Sequence, residues 1–156
     1  MSFAVTAAPI DREVLRANVI NNASGACVIF EGWIRDHNEG RAVERLEYEI
    51  YTPIALAEGE KILLEAREKF DIEDAACSHR EGMLEITDTA VLAVAVAAHR
   101  DEAFQACRYI IDEVKHRLPI WKKEYYTDGD VHWVNCLRCA EHARSSAAGP
   151  GGDSGD

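Results

Sequence analysis

The sequence has no apolar stretch long enough to cross a bilayer. Its longest strongly apolar run, Ala90 to Ala98, falls well short of the ~20 residues a membrane-spanning helix needs. It also lacks a basic segment followed by a sustained apolar stretch and a cleavage pattern, which predicts no signal peptide. Positive charge is scarce: 17 Lys and Arg stand against 28 Asp and Glu, a net charge of -11. That excludes a non-specific nucleic-acid binder, whose affinity comes from neutralising phosphates. It leaves room for a small basic pocket that focuses positive potential within an acidic protein. The five cysteines are an odd number, and a chain of 156 residues needs no disulfide framework, so the reading is a reducing compartment, the cytoplasm. A Gly-rich dinucleotide fingerprint, a phosphate loop and internal repeats are all missing.

What is present is enough apolar material, 47% of the residues, for one core. Residues 1–143 read as one domain, and 144–156, small, polar and Gly-rich, as a disordered tail. Phe3 to Ala7 reads as a first strand, and Asp11 caps a helix starting near Arg12 whose apolar set is Val14, Leu15 and Val19. Ala26 to Arg35 is a strand running into a polar loop, 36–40. Leu46, Tyr48 and Ile50 alternate with charged or polar neighbours, the period of a half-buried strand. Pro53 opens an amphipathic helix with Ile54, Leu56, Ile62, Leu63, Ala66 and Phe70 on its apolar side.

Strands follow at 75–80 and 83–86, then a continuous apolar strand from Thr89 to Ala98. Asp101 begins a second long helix with Phe104, Cys107, Ile111, Val114 and Leu118 on one face, stopped by Pro119. Trp121 to Tyr126 and Val131 to Cys136 close the series as strands. The order predicts an α+β domain with a mixed or mainly antiparallel sheet and two long helices. The three tryptophans, Trp33, Trp121 and Trp133, read as core anchors. The acids between 58 and 74 read as solvated charge.

Basic residues recur at element ends: Arg35, His37 and Arg41, then His99 and Arg100, then Lys115 to Arg117, then Lys122 and Lys123. Rigid elements place functional side chains at such junctions. Arg grips phosphate or carboxylate through two oxygens, and a Lys among other cations can act as base or nucleophile. Each has a plainer reading: lysine and arginine near a helix C-terminus favour the dipole, and Lys122 beside Trp121 can snorkel. Cys136 and Cys139 form a single CxxC that His142 could join in a zinc site, but unpaired thiols are the simpler reading and no metal is expected.

Five stretches together resemble the large, catalytic subunit of molybdopterin synthase. They are Gly32 to Gly40 (GWIRDHNEG), Leu46 to Glu49, Ser78 to Gly82 (SHREG), Ala97 to Phe104 (AAHRDEAF) and Leu118 to Glu124 (LPIWKKE). The resemblance spans about residues 3–138, and its last two motifs together are highly specific. It implies an α/β-hammerhead fold with no cofactor of its own. It implies a sulfurtransferase that converts cyclic pyranopterin monophosphate to molybdopterin. The sulfur arrives as a thiocarboxylate on the Gly-Gly tail of a small ubiquitin-like partner. The assembly implied is a homodimer with one small subunit at each end, a heterotetramer.

By the same resemblance Lys115 is the essential lysine and Lys122 the second active-site lysine. Arg35, His99 and Arg100 bind anion, Glu124 is the acid beside the lysines, and Trp33, Ile34 and Lys123 complete the substrate site. Some members carry an arginine after the final Trp-Val that reaches the other protomer's pocket; here Leu137 takes that position, with Arg138 one residue later. A one-residue slip in a strand reverses its facing. Other readings of the same basic pocket are a different phosphate-handling transferase or hydrolase, or a noncatalytic scaffold for the small partner.

Overall fold

The computed structural model describes residues 1–135. Its order is β1 (Ser2–Thr6), α1 (Arg12–Val19), β2 (Ala26–Trp33), β3 (His37–Asn38), β4 (Arg41–Ile50), α2 (Thr52–Lys69), β5 (Asp74–Arg80), β6 (Gly82–Glu85), β7 (Thr89–Ala97), α3 (Arg100–Arg117), β8 (Ile120–Tyr126) and β9 (Val131–Asn135). The α+β class and the two long helices are as expected. The strands form two sheets rather than one. The first runs β1-β5-β7-β2, with β1 parallel to β5 and the other pairs antiparallel. The second runs β3-β4-β8-β9, with β6 also paired to β4. The expected domain boundary at 143, and Leu137, Arg138, Cys136, Cys139 and His142, lie outside the described residues.

β7 explains the continuous apolar run. Val91, Ala93, Ala95 and Ala97 join the core shared with α2 and α3, while Leu92, Val94 and Val96 join a second cluster with Val19 of α1. A strand covered on both faces has no polar side to show. The alanines lie on the long-helix side, where short side chains permit close approach. At α1, Asp11 does cap the helix: its carboxylate accepts from Glu13 N at 2.9 Å and Val14 N at 3.3 Å, worth about 1 kcal/mol.

The helix faces agree with the expected ones in part: Ile62, Leu63 and Ala66 of α2 and Cys107, Ile111 and Val114 of α3, with Leu118 just after it, are buried as expected. α2 buries Ala55, Gly59, Ile62, Leu63 and Ala66 and leaves Ile54 and Leu56 exposed. α3 buries Ala103, Ala106, Cys107, Ile110, Ile111 and Val114, while Phe104 is 60% exposed. The buried stripes are centred on small residues, because the closest contacts leave no room for more. A Cβ at Gly59 would meet Phe3 Cγ at 2.2 Å. Large apolar residues therefore mislead about which side faces in. Each fully buried Ile or Leu of these stripes still contributes roughly 1.5–3 kcal/mol.

The acids of α2 are also not merely solvated. Arg117, in the last turn of α3, pairs with Glu65 and with Glu58 at 3.0 Å, and Tyr109 donates to Glu65 at 2.7 Å. These contacts clamp the C-terminal end of α3 to α2. Glu65 lies below the usual carboxylate range because Arg117 and Tyr109 donate to it. Residues 36–40 form a tight hairpin rather than an open loop. His37 pairs with Ala42 and Asn38 with Arg41 across Glu39-Gly40, whose φ values of 50° and 78° are both left-handed, as a two-residue type I′ turn requires.

Candidate active site

Register in the second sheet builds the site. Leu46 of β4 stands opposite Glu124 of β8, and Tyr48 stands opposite Lys122. Opposed residues in an antiparallel pair share a face, so these four side chains point the same way. Trp121, Lys123 and Tyr125 take the other face, where Lys123 Nζ sits 5.2 Å from the Tyr125 ring centre and 5.5 Å from that of Trp133. Above the first face, β2 ends in a register irregularity at Gly32/Trp33. The chain then leaves the sheet through Ile34, whose N–H donates to Asp88 O at 3.0 Å. The last turn of α3 brings in Lys115.

Together these segments line a pocket of about 180 Å³, with Trp33, Ile34, Arg35, Lys115, Lys122 and Glu124 among its walls. His37, Asn38 and Tyr48 line it as well. Three basic side chains, Arg35, Lys115 and Lys122, face one buried carboxylate, so an acidic protein presents a locally positive cleft. Glu124 is 1% exposed and fully engaged. Its Oε1 accepts from Asn38 at 2.8 Å and lies 3.1 Å from Lys122 Nζ; its Oε2 accepts from Tyr126 OH. Burial pushes its pKa up, but donation from Tyr126, Asn38 and Lys122 outweighs burial and holds it below the usual carboxylate range. Burial and Glu124 in turn push the Tyr126 phenol up to about 12. Arg35 donates to Asn38 Oδ1 at 3.3 Å, which ties the arginine to the same network.

Of the expected site residues, Trp33, Ile34, Arg35, Lys115, Lys122 and Glu124 come together in one pocket. Lys123 does not; it lies on the far face of the sheet. His99 and Arg100 do not either. They sit exposed at the N-terminal end of α3, and Arg100 is about 22 Å from Lys115 at 1.5 Å per helical residue. The tryptophans are not core anchors: Trp33 is 64% and Trp133 52% exposed, and Trp121 is exposed too. Asn38, Tyr48 and Tyr126 belong to the site although residue type did not mark them. The signal for Tyr48 was its alternation with Glu47 and Glu49. No local signal points to Asn38 or Tyr126.

Among the described residues no group of three His, Cys, Asp or Glu is placed to hold a metal. The free thiols Cys77 and Cys107 are buried, and burial pushes them up to about 12 and about 11. A thiol so held is a poor nucleophile. No helix among the described residues is long and apolar enough to cross a membrane.

Comparison with known proteins agrees with this geometry. The MoaE protein family matches residues 5–117. A molybdopterin synthase catalytic subunit from Pyrococcus abyssi is 47% identical over 118 residues, covering 76% of this chain and 79% of the relative. One from a Nostoc species is 38% identical over 145 residues, covering 92% and 88%. The crystal structure of molybdopterin synthase from Staphylococcus aureus superimposes with a TM-score of 0.80 at 37% identity, over 84% of this chain and 95% of that one.

Proposed function

The chain belongs to the MoaE protein family, and on that premise we propose that it is the catalytic subunit of a molybdopterin synthase, working in the cytoplasm. It converts cyclic pyranopterin monophosphate to molybdopterin in two sulfur transfers. The sulfur comes from the thiocarboxylated Gly-Gly terminus of a small ubiquitin-like partner. The observation that carries this reading is the convergence of Lys115, Lys122 and Arg35 over the buried, fully hydrogen-bonded Glu124.

Each group has a task that its surroundings suit. Arg35, anchored through Asn38, offers a planar donor pair to a phosphate. Lys122 is oriented by Glu124, which fixes where its charge meets the anionic substrate. Lys115 is the principal amine and handles protons as sulfur bonds to the pterin side chain. Trp33 and Ile34 shape the mouth. A side-chain-free Gly-Gly tail suits entry to so small a cleft.

The separation of His99 and Arg100 from Lys115 is resolved by a homodimer. Among the described residues β2 is hydrogen-bonded only to β7, so its other edge is open. Beside it, Phe30, Phe104, Cys107 and Ile111 line an apolar groove of about 680 Å³ midway along α3. A two-fold contact centred there is self-complementary. It carries the N-terminal end of α3 in one protomer toward the Lys115 end in its partner. His99 and Arg100 then complete the anion site across the dimer, and two small subunits make the heterotetramer.

The test is reconstitution with purified thiocarboxylated small subunit and cyclic pyranopterin monophosphate. The dithiolene product is read by conversion to a fluorescent pterin and by mass. Product accumulating in step with consumed thiocarboxylate supports the reading. Its absence, with a competent partner bound, overturns it.

A further inference from the structure

His79 lies near the end of β5, fully buried, and nothing in the proposed chemistry uses it directly. Ala75 and Cys77, four and two residues earlier on the strand, belong to the core shared with the long helices. His79 therefore faces that core too. Its Nδ1 is 2.8 Å from the Arg80 carbonyl oxygen. A carbonyl can only accept, so Nδ1 carries the proton and Nε2 carries a lone pair. Nε2 is buried and meets no hydrogen-bond partner among the described residues. Because Nδ1 is tied back to its own strand, Nε2 at the far side of the ring is directed away from β5.

Two pocket residues lie near His79. The Tyr48 ring packs edge-to-face against the imidazole, with centroids 4.9 Å apart and planes at 83°. Lys115 lies close enough that its charge, added to burial, presses His79 toward the neutral form, to a pKa of about 3. The titratable groups facing His79 are then Tyr48 from β4, Lys115 from α3 and Cys77 from its own strand. Cys77 is itself held neutral by burial, against the charge of Lys115.

We propose that His79 is a positioning residue for the lysine site: its bare Nε2 turns the negative end of a neutral imidazole toward Lys115, favouring the ammonium form, while its ring holds Tyr48 as a pocket wall. A fixed dipole in a low-dielectric interior acts strongly on a nearby charge. Phenylalanine would keep the contact with Tyr48 but would remove the dipole and leave the Arg80 carbonyl without its donor. Glutamine keeps a donor and an acceptor on a neutral side chain. The catalytic half of this inference rests on Lys115 being the working amine; the electrostatic half does not.

The experiment follows the titration of the Lys115 side chain by NMR in the parent, His79→Phe and His79→Gln. The Phe variant should titrate about one pH unit lower, and the Gln variant should return most of the way. An unchanged midpoint in folded His79→Phe, or a His79→Gln midpoint no closer to the parent's than that of His79→Phe, overturns the proposal. So does a parent in which nitrogen shifts show His79 protonated at Nε2, a measurement that needs no variant. In the reconstituted reaction, kcat should fall ~10-fold in His79→Phe with KM nearly unchanged. Parent protein that makes no molybdopterin would defeat the proposed function, while the titrations would still decide the role of His79.

Discussion

Lys122 and Glu124 stand two residues apart on β8, so both point into the pocket, and Lys122 Nζ meets Glu124 Oε1 at 3.1 Å. The carboxylate is held ionised by Tyr126, Asn38 and Lys122 against its burial. Glu124→Gln removes the charge while keeping the shape. It should destabilise the fold by about 1–3 kcal/mol at neutral pH and lower turnover at least ~10-fold by freeing Lys122. The folded-state pKa is depressed, so its stabilisation is complete above the unfolded value and is lost as pH falls through the folded one. The Tm gap between parent and variant should narrow below the ordinary carboxylate value of 4.5. A gap independent of pH would sink this account.

Lys115→Ala should fold, dimerise and lose product formation by ~100-fold or more. Lys122→Ala should lose less, because Arg35 and Lys115 remain in the pocket. Single-turnover product yield against time measures both, with circular dichroism confirming the fold. Near-normal turnover in Lys115→Ala rejects its assignment.

Dimer completion of the site predicts complementation. Lys115→Ala and Arg100→Ala homodimers should each be nearly inactive. In a mixed dimer, one site carries both substitutions and the other neither, so about half of the parent activity per dimer should return. No recovery in mixed dimers confirmed by mass would place Arg100 and Lys115 in the same protomer's site, or in none. Phe104→Glu, at the centre of the groove, should sediment as a monomer and lose turnover.

Gly59→Ala tests the closeness of α2 to β1. The added methyl would meet the Phe3 ring at 2.2 Å, and overpacking should cost about 1–3 kcal/mol. Adding Phe3→Leu should recover part of that, since the smaller side chain makes room. Denaturant midpoints read both. A neutral Gly59→Ala would mean that Phe3 moves freely.

The α+β class, both long helices and all strands but β3 could be read from period and punctuation, because those signals are local. The faces of α2 and α3 were legible in part, through Ile62, Leu63, Cys107, Ile111 and Val114; the closest packing was not, because it is made by alanine and glycine, which carry little hydrophobic signal. The exposed tryptophans misled for the opposite reason: a large apolar residue looks like core whether it lines the cleft, as Trp33 does, or lies on the far face of the sheet, as Trp121 and Trp133 do. In the site, the lysines, Arg35 and Glu124 were legible through the combined motifs. Asn38 and Tyr126 were not, since their roles depend on a hairpin and a register joining residues 86 apart at their widest, Asn38 and Glu124. The distance between Arg100 and Lys115 was implicit in the sequence, since the one helix expected between Asp101 and Pro119 joins them and its rise per residue sets their separation.

The open edge of β2 bears on how the protein survives its own synthesis. Among the described residues one edge of β2 is left unpaired, flanked by Phe30 and Phe104, and such an edge is a template for indiscriminate strand addition. In the proposed dimer the second copy covers that edge, so at low abundance a protomer waits longer for its twin and is open longer to wrong neighbours. Variants weakened at this seam should therefore accumulate as inclusion bodies before any loss of intrinsic fold stability is measurable. Co-translational pairing or chaperone capture would rescue them, whereas added substrate would not.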